Sequence, residues 1–129
     1  MIKFFTKYKI IFYSSNFILI LLYLFPGSLI GYFLYGDFKL QPQLTRDYII
    51  SSNHLYAFAI LSLIGFLTYK NSKKIRYLIG YLIVVSIFLE ISHKFIPERS
   101  FEYSDLFGNL AGVIIVIIFF NLLKIYENY

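Results

Sequence analysis

The chain has 129 residues, of which 59% are hydrophobic and 22% aromatic, and a formal net charge of +5. Its mean hydropathy of +0.70 excludes an ordinary soluble globular domain, and its length implies a single domain. It contains no cysteine, which excludes disulfides, thiolate metal sites and thiol catalysis. The positive residues cluster at the ends of apolar runs, where they set membrane orientation, so the charge does not point to a nucleic-acid partner.

The sequence predicts an all-α membrane protein with four transmembrane helices, over about residues 10–34, 48–69, 77–96 and 105–125. Met1 to Lys9 is short and basic, with Lys3, Lys7 and Lys9. The apolar run behind it is longer than the core of a signal peptide and lacks an A-x-A-like cleavage site, so it reads as an uncleaved first helix. Pro26-Gly27 should kink or end that helix, with Ser28 to Leu34 as a tilted extension. Gly27 and Gly31 are spaced to allow close helix contact or to mark a bend. Tyr35 to Asp47 reads as a polar external loop. The run Tyr48 to Tyr69 has the length needed to cross about 30 Å of hydrocarbon and opens on Ser51, Ser52, Asn53 and His54.

Lys70 to Arg76 is a basic link without an acid. The third run, Tyr77 to Ile96, ends near Glu90 and His93, and the fourth carries Gly108 and Gly112. The N-terminal segment and the Lys70–Arg76 link hold basic residues and no acids. The other two loops mix Lys39, Arg46, Lys94 and Arg99 with Asp37, Asp47, Glu98, Glu102 and Asp105. The positive-inside rule then places both termini in the cytoplasm. The His54, Glu90–His93 and Asp105 helix ends consequently share one external layer.

That layer holds the residues that can carry chemistry. Glu90 follows a stretch in which Ser86 and tyrosine hydroxyls are the only polar groups. A carboxylate in hydrocarbon must pair, protonate or serve a function. Glu90 and His93 lie three apart on one helix face, a spacing used by carboxylate–imidazole metal ligands in bundle cores. The bland alternative pairs Glu90 with a cation such as Arg99 and lets His93 snorkel to the interface. Ser104-Asp105 precedes an apolar run, and Ser104 is the expected N-cap. Asp105 and Asn109 share a face with Gly108 and Gly112, so another helix can approach this polar pair. Arg99 suits bidentate contact with a carboxylate or phosphate, or an exposed ion pair with Glu98 or Glu102. His54 is either an interfacial anchor, with Ser51 on its face, or a ligand. No nucleotide loop, dinucleotide fingerprint or hydrolase motif occurs.

Glu90-Ile91-Ser92-His93, Pro97-Glu98-Arg99-Ser100-Phe101 and Asp105-Leu106-Phe107-Gly108-Asn109-Leu110-Ala111-Gly112, with Ser52-Asn53-His54 before them, resemble the VanZ-like family. These are small four-helix membrane proteins named for a member linked to teicoplanin resistance. The resemblance covers roughly residues 48 to 118. It departs from the family pattern at His93, where glutamine is usual, and at Ser52-Asn53, where an acid and a base are usual. It implies a multi-pass protein of the bacterial cytoplasmic membrane and names no reaction.

Three functions are compatible with this layer. The first is binding of an envelope lipid or lipid-linked glycan precursor through His54, Glu90, His93, Arg99, Asp105 and Asn109, with Arg99 on a phosphate. The second is a hydrolase or transferase acting on such a lipid, with His54, Glu90 or Asp105 catalytic, or with a metal held by His54, Glu90, His93 and Asp105. The third is purely structural: the polar layer locks the four helices together and function lies in a partner protein, with a homo-oligomer or a protein partner as the assembly. No cofactor is implied.

Overall fold

A computed structural model describes residues 2–128; Met1, Tyr129 and the side chains of residues 2–6, including that of Lys3, lie outside the description. The described chain is all-helical, with α1 (Ile2–Leu24), α2 (Leu29–Tyr35), α3 (Ser52–Tyr69), α4 (Ile75–Ser92) and α5 (Tyr103–Glu127). Three segments, Lys7–Leu24 in α1, Ile75–Ser92 (all of α4) and Tyr103–Glu127 (all of α5), are long and apolar enough to cross a membrane. The fourth expected span, α3, falls outside that group. Its first turn, Ser52-Asn53-His54, is polar.

α3 buries Phe58, Leu61, Ser62, Gly65 and Phe66, a stripe at helical spacing that faces its neighbours. α4 answers with Leu78, Leu82, Val85, Ser86, Leu89 and Glu90, and α5 with Gly108, Asn109, Gly112, Val113 and Val116. The outward faces keep large apolar side chains exposed, among them Phe17, Ile60, Val84, Phe88, Ile115 and Ile118. An aqueous protein rarely leaves so much apolar surface uncovered.

α3 and α5 run parallel and touch most closely. A Cβ at Gly108 would meet the Ser51 carbonyl oxygen at 2.6 Å, and one at Gly112 would meet the Leu55 carbonyl oxygen at 2.5 Å and the Ala59 nitrogen at 2.8 Å. Without a hydrophobic drive between helices in lipid, such backbone proximity and polar contacts hold a bundle together. α1 and α4 run the other way: Tyr23 meets His54 at one end and Tyr13 meets Tyr69 at the other.

Several expected boundaries move. The first helix does not continue through Pro26-Gly27 but stops at Leu24, and a separate short helix begins at Leu29. Gly27 adopts φ +106° in this turn, and Gly31 packs on the backbone of Asp37 and Leu40. These two glycines therefore seat a loop, not a second helix. α3 starts at Ser52, not Tyr48, because Asp47 Oδ1 accepts the Ser52 N–H at 2.8 Å and the Ser51 N–H goes to the Ser104 carbonyl at 3.1 Å. α4 ends at Ser92, not Ile96, since the backbone N–H groups of Lys94 and Phe95 turn to carbonyls three residues back. The N-cap of α5 is Glu102, not Ser104; Ser104 sits inside the first turn and receives Ser51.

Candidate functional site

Four helix ends meet at one end of the bundle: the C-terminal ends of α1 and α4 and the N-terminal ends of α3 and α5. His54, Glu90, His93, Asp105 and Asn109 are all brought together there, as the residue pattern predicts. Glu90 and Asn109 are fully buried and His93 nearly so. The side chains of His54 and Asp105 keep 18% and 20% exposure, so the cluster opens to the outside through that pair.

Asn109 organises the interior of the cluster. Its Nδ2 donates to the Ser86 carbonyl at 3.0 Å, which fixes the amide so that Oδ1 faces α1 and α3. The Tyr23 hydroxyl donates to that oxygen at 2.7 Å. His54 Nδ1 lies 3.0 Å from the same oxygen and 3.0 Å from the Tyr23 hydroxyl oxygen. An amide oxygen only accepts, and the Tyr23 proton is already directed at it, so Nδ1 of His54 must carry a hydrogen. In neutral His54 the lone pair then lies on Nε2, which faces Asp105 Oδ2 at 3.6 Å. That separation is too long for a hydrogen bond.

His93 is fixed in the same way. Its Nε2 lies 3.0 Å from the Tyr23 carbonyl oxygen, an acceptor, so Nε2 donates. Its Nδ1 lies 3.3 Å from Glu90 Oε2. Two lone pairs facing each other there would repel, so one of the two groups carries a hydrogen, although the contact does not have the geometry of a hydrogen bond. Tyr23 stacks on the His93 ring at 5.5 Å between centroids. The alternative in which His93 snorkels to the interface is therefore not what the fold shows. Glu90 Oε1 accepts the Glu102 N–H at 3.1 Å, while Oε2 has no hydrogen-bond partner among the described residues.

Arg99 does not form the expected ion pair with Glu98 or Glu102. Its Nε donates to the Phe25 carbonyl at 3.2 Å, and its Nη2 to the carbonyls of Leu22 at 2.8 Å and Gly27 at 2.6 Å. It satisfies backbone acceptors at the end of α1 and in the turn after it, and makes no ion pair with Glu90, Glu98 or Glu102. Partial burial lowers the hold of this guanidinium on its proton, while the acidic groups Tyr23, Glu90 and Asp105 nearby raise it.

Tyr23 and the Ser86 carbonyl are the partners that the residue pattern does not reveal. Tyr23 is one of thirteen tyrosines in an apolar run, and a backbone carbonyl leaves no mark in a sequence. Two open cavities lie elsewhere, one beside the 45–56 region and one between α1 and α4, and neither is lined by the cluster. One nitrogen of His54 and one oxygen each from Glu90 and Asp105 lie within 4.8 Å of one another. His93, included in the expected metal set, falls outside this trio because its two nitrogens face Tyr23 and Glu90. No family model, curated protein or solved structure matches the chain.

Proposed function

We propose that this chain is a four-span membrane protein, with both termini cytoplasmic, whose polar cluster at the extracytoplasmic end binds the head group of an envelope lipid or lipid-linked glycan. The observation that carries this reading is a fully buried Glu90 and Asn109 behind a half-open His54–Asp105 pair, in a bundle whose outer faces are apolar. Burying such groups in hydrocarbon is costly, and polar residues at that depth mark ligand pathways or sites. His54 and Asp105 at the mouth suit hydroxyl groups of a head group. With Arg99 engaged by α1, a phosphate-first mode of binding is not part of the proposal. The VanZ-like pattern of residues 90–112 is in keeping with this reading and with the bacterial cytoplasmic membrane.

One observation favours a hydrolase or transferase acting on the same lipid. His54 has its Nδ1–H held from behind and its Nε2 lone pair turned toward the mouth, the arrangement a general base requires.

Protein reconstituted in nanodiscs with envelope lipid extract and analysed by mass spectrometry separates the two. Retention of a specific unaltered lipid by wild type, lost in His54→Ala and Asp105→Ala, is the expected result. A lipid chemically altered by wild type alone selects the enzyme. Identical lipid profiles in all three proteins would refute a ligand site.

A further inference from the structure

Glu90 and Asp105 present two carboxylates to one imidazole, and among the described residues no Lys or Arg forms an ion pair with either; their close contacts with ionisable side chains are to His54 and His93. Glu90 Oε2 is fully buried, lacks a hydrogen bond and points into the space it shares with His54. The two carboxylates thus share a buried polar layer in which imidazoles, and no Lys or Arg, are set against them.

We infer that His54, through Nε2, and the carboxylates of Glu90 and Asp105 form a binding site for one divalent first-row transition-metal ion. The site goes beyond the lipid reading and does not depend on which head group is bound.

The distances fit such an ion. Two ligand atoms that share a tetrahedral zinc at metal–ligand distances of about 2.1 Å stand about 3.4 Å apart. His54 Nε2 and Asp105 Oδ2 stand 3.6 Å apart, too far to bond each other. One ligand atom from each of the three residues lies within 4.8 Å of the other two, and Glu90 Oε2 stands 3.8 Å from the His54 ring at Nδ1. Two carboxylates and one imidazole leave an open position toward the mouth, as catalytic metal sites do.

The surrounding contacts are those a metal site needs. A ligating histidine donates its other ring N–H to a protein acceptor, which fixes its tautomer, and His54 Nδ1–H is directed at Asn109 Oδ1 and the Tyr23 oxygen. A ligating carboxylate is itself held, and Glu90 Oε1 takes the Glu102 N–H. His93 lies against the same Glu90 oxygen at 3.3 Å, with its other nitrogen on the Tyr23 carbonyl, and is not one of the ligands. The lone pair that would serve as a base in the absence of metal is the one the ion takes.

The test uses the full chain in detergent, stripped with a chelator and titrated with Zn(II) alone by calorimetry, with no lipid added. The expected result is one saturable equivalent, weakened more than tenfold in His54→Gln and in Glu90→Gln and unchanged in Asp47→Asn. X-ray absorption of the wild-type Zn(II) complex should show one imidazole and otherwise oxygen ligands, which decides the point even if a variant fails to fold. The absence of saturable binding, equal affinity in all variants, or a coordination shell without imidazole would overturn the site. Since no lipid enters these readouts, their failure leaves the head-group reading standing, and the reverse also holds.

Discussion

Asn109 uses both ends of its amide, and the consequences of removing it are specific. Asn109→Ala would leave the Tyr23 hydroxyl and His54 Nδ1–H facing a void where a carbonyl oxygen stood. Unsatisfied buried polar groups cost about 1–3 kcal/mol each, so we expect a loss on the order of 3 kcal/mol, read as a lower melting temperature in detergent. The neighbouring Glu90 behaves differently. Glu90→Gln can keep the Glu102 N–H on its amide oxygen and present its NH₂ to His93 Nδ1, so its melting temperature should stay within a few degrees of wild type. Glu90→Ala, which leaves that N–H and the imidazole without a partner, should be destabilised several-fold more. Equal damage from Gln and Ala would mean that the charge of Glu90, not its hydrogen bonds, holds the helices together.

At the scale of elements, the close approach of α3 and α5 rests on two absent side chains. Gly112→Ala would drive a methyl group against the Leu55 carbonyl and the Ala59 nitrogen. Backbone cannot step aside as a side chain can, so a cost at the upper end of the usual 1–3 kcal/mol for overpacking is expected. Gly80 is a control, because a Cβ there meets nothing within 4 Å; Gly80→Ala should be neutral or stabilise α4 by up to about 1 kcal/mol. Thermal melts of the two variants side by side check both. The start of α3 adds a pH-dependent element. Hydrogen bonds from the Ser52 backbone and side chain and from Gln43 hold the Asp47 carboxyl below its ordinary range. A depressed carboxylate stabilises the fold above its unfolded pKa and loses that contribution as pH falls through the folded one. Wild type should therefore melt above Asp47→Asn at pH 7, and the gap should shrink on acidification toward pH 3. A gap that persists at pH 3 would show that Asp47 acts by shape and not by charge.

For the whole molecule, the four long helices and the polar layer were legible because membrane length and isolated charges are strong signals. Glu90, His93, Asp105, Asn109 and His54 stood out against hydrocarbon, and the glycines at 108 and 112 marked the helix that brings them together. The ends of the helices were less legible. Asp47, just before α3, and the Ser104 carbonyl, far from it in sequence, decide where α3 begins, and short i→i−3 turns end α4 before its apolar run does. The contacts of Arg99 were hidden for a related reason: its partners are backbone carbonyls at the end of α1 and in the turn after it, more than seventy residues away, and no side chain in the sequence signals them. Tyr23 was hidden among many similar residues.

On the proposed function, these residues form a cluster that opens to water on the extracytoplasmic face. Because the chain has no cysteine, a single Asp105→Cys variant reports on that claim directly, with Ser72→Cys marking the opposite loop and Leu82→Cys the core. In intact cells, a membrane-impermeant maleimide should label position 105 and should reach position 72 only after permeabilisation and position 82 only after denaturation. If position 105 stays unlabelled in intact cells, and reacts only once the membrane is opened or the protein unfolded, the cluster is either on the cytoplasmic side or sealed within the bundle, and the account of an external site is wrong.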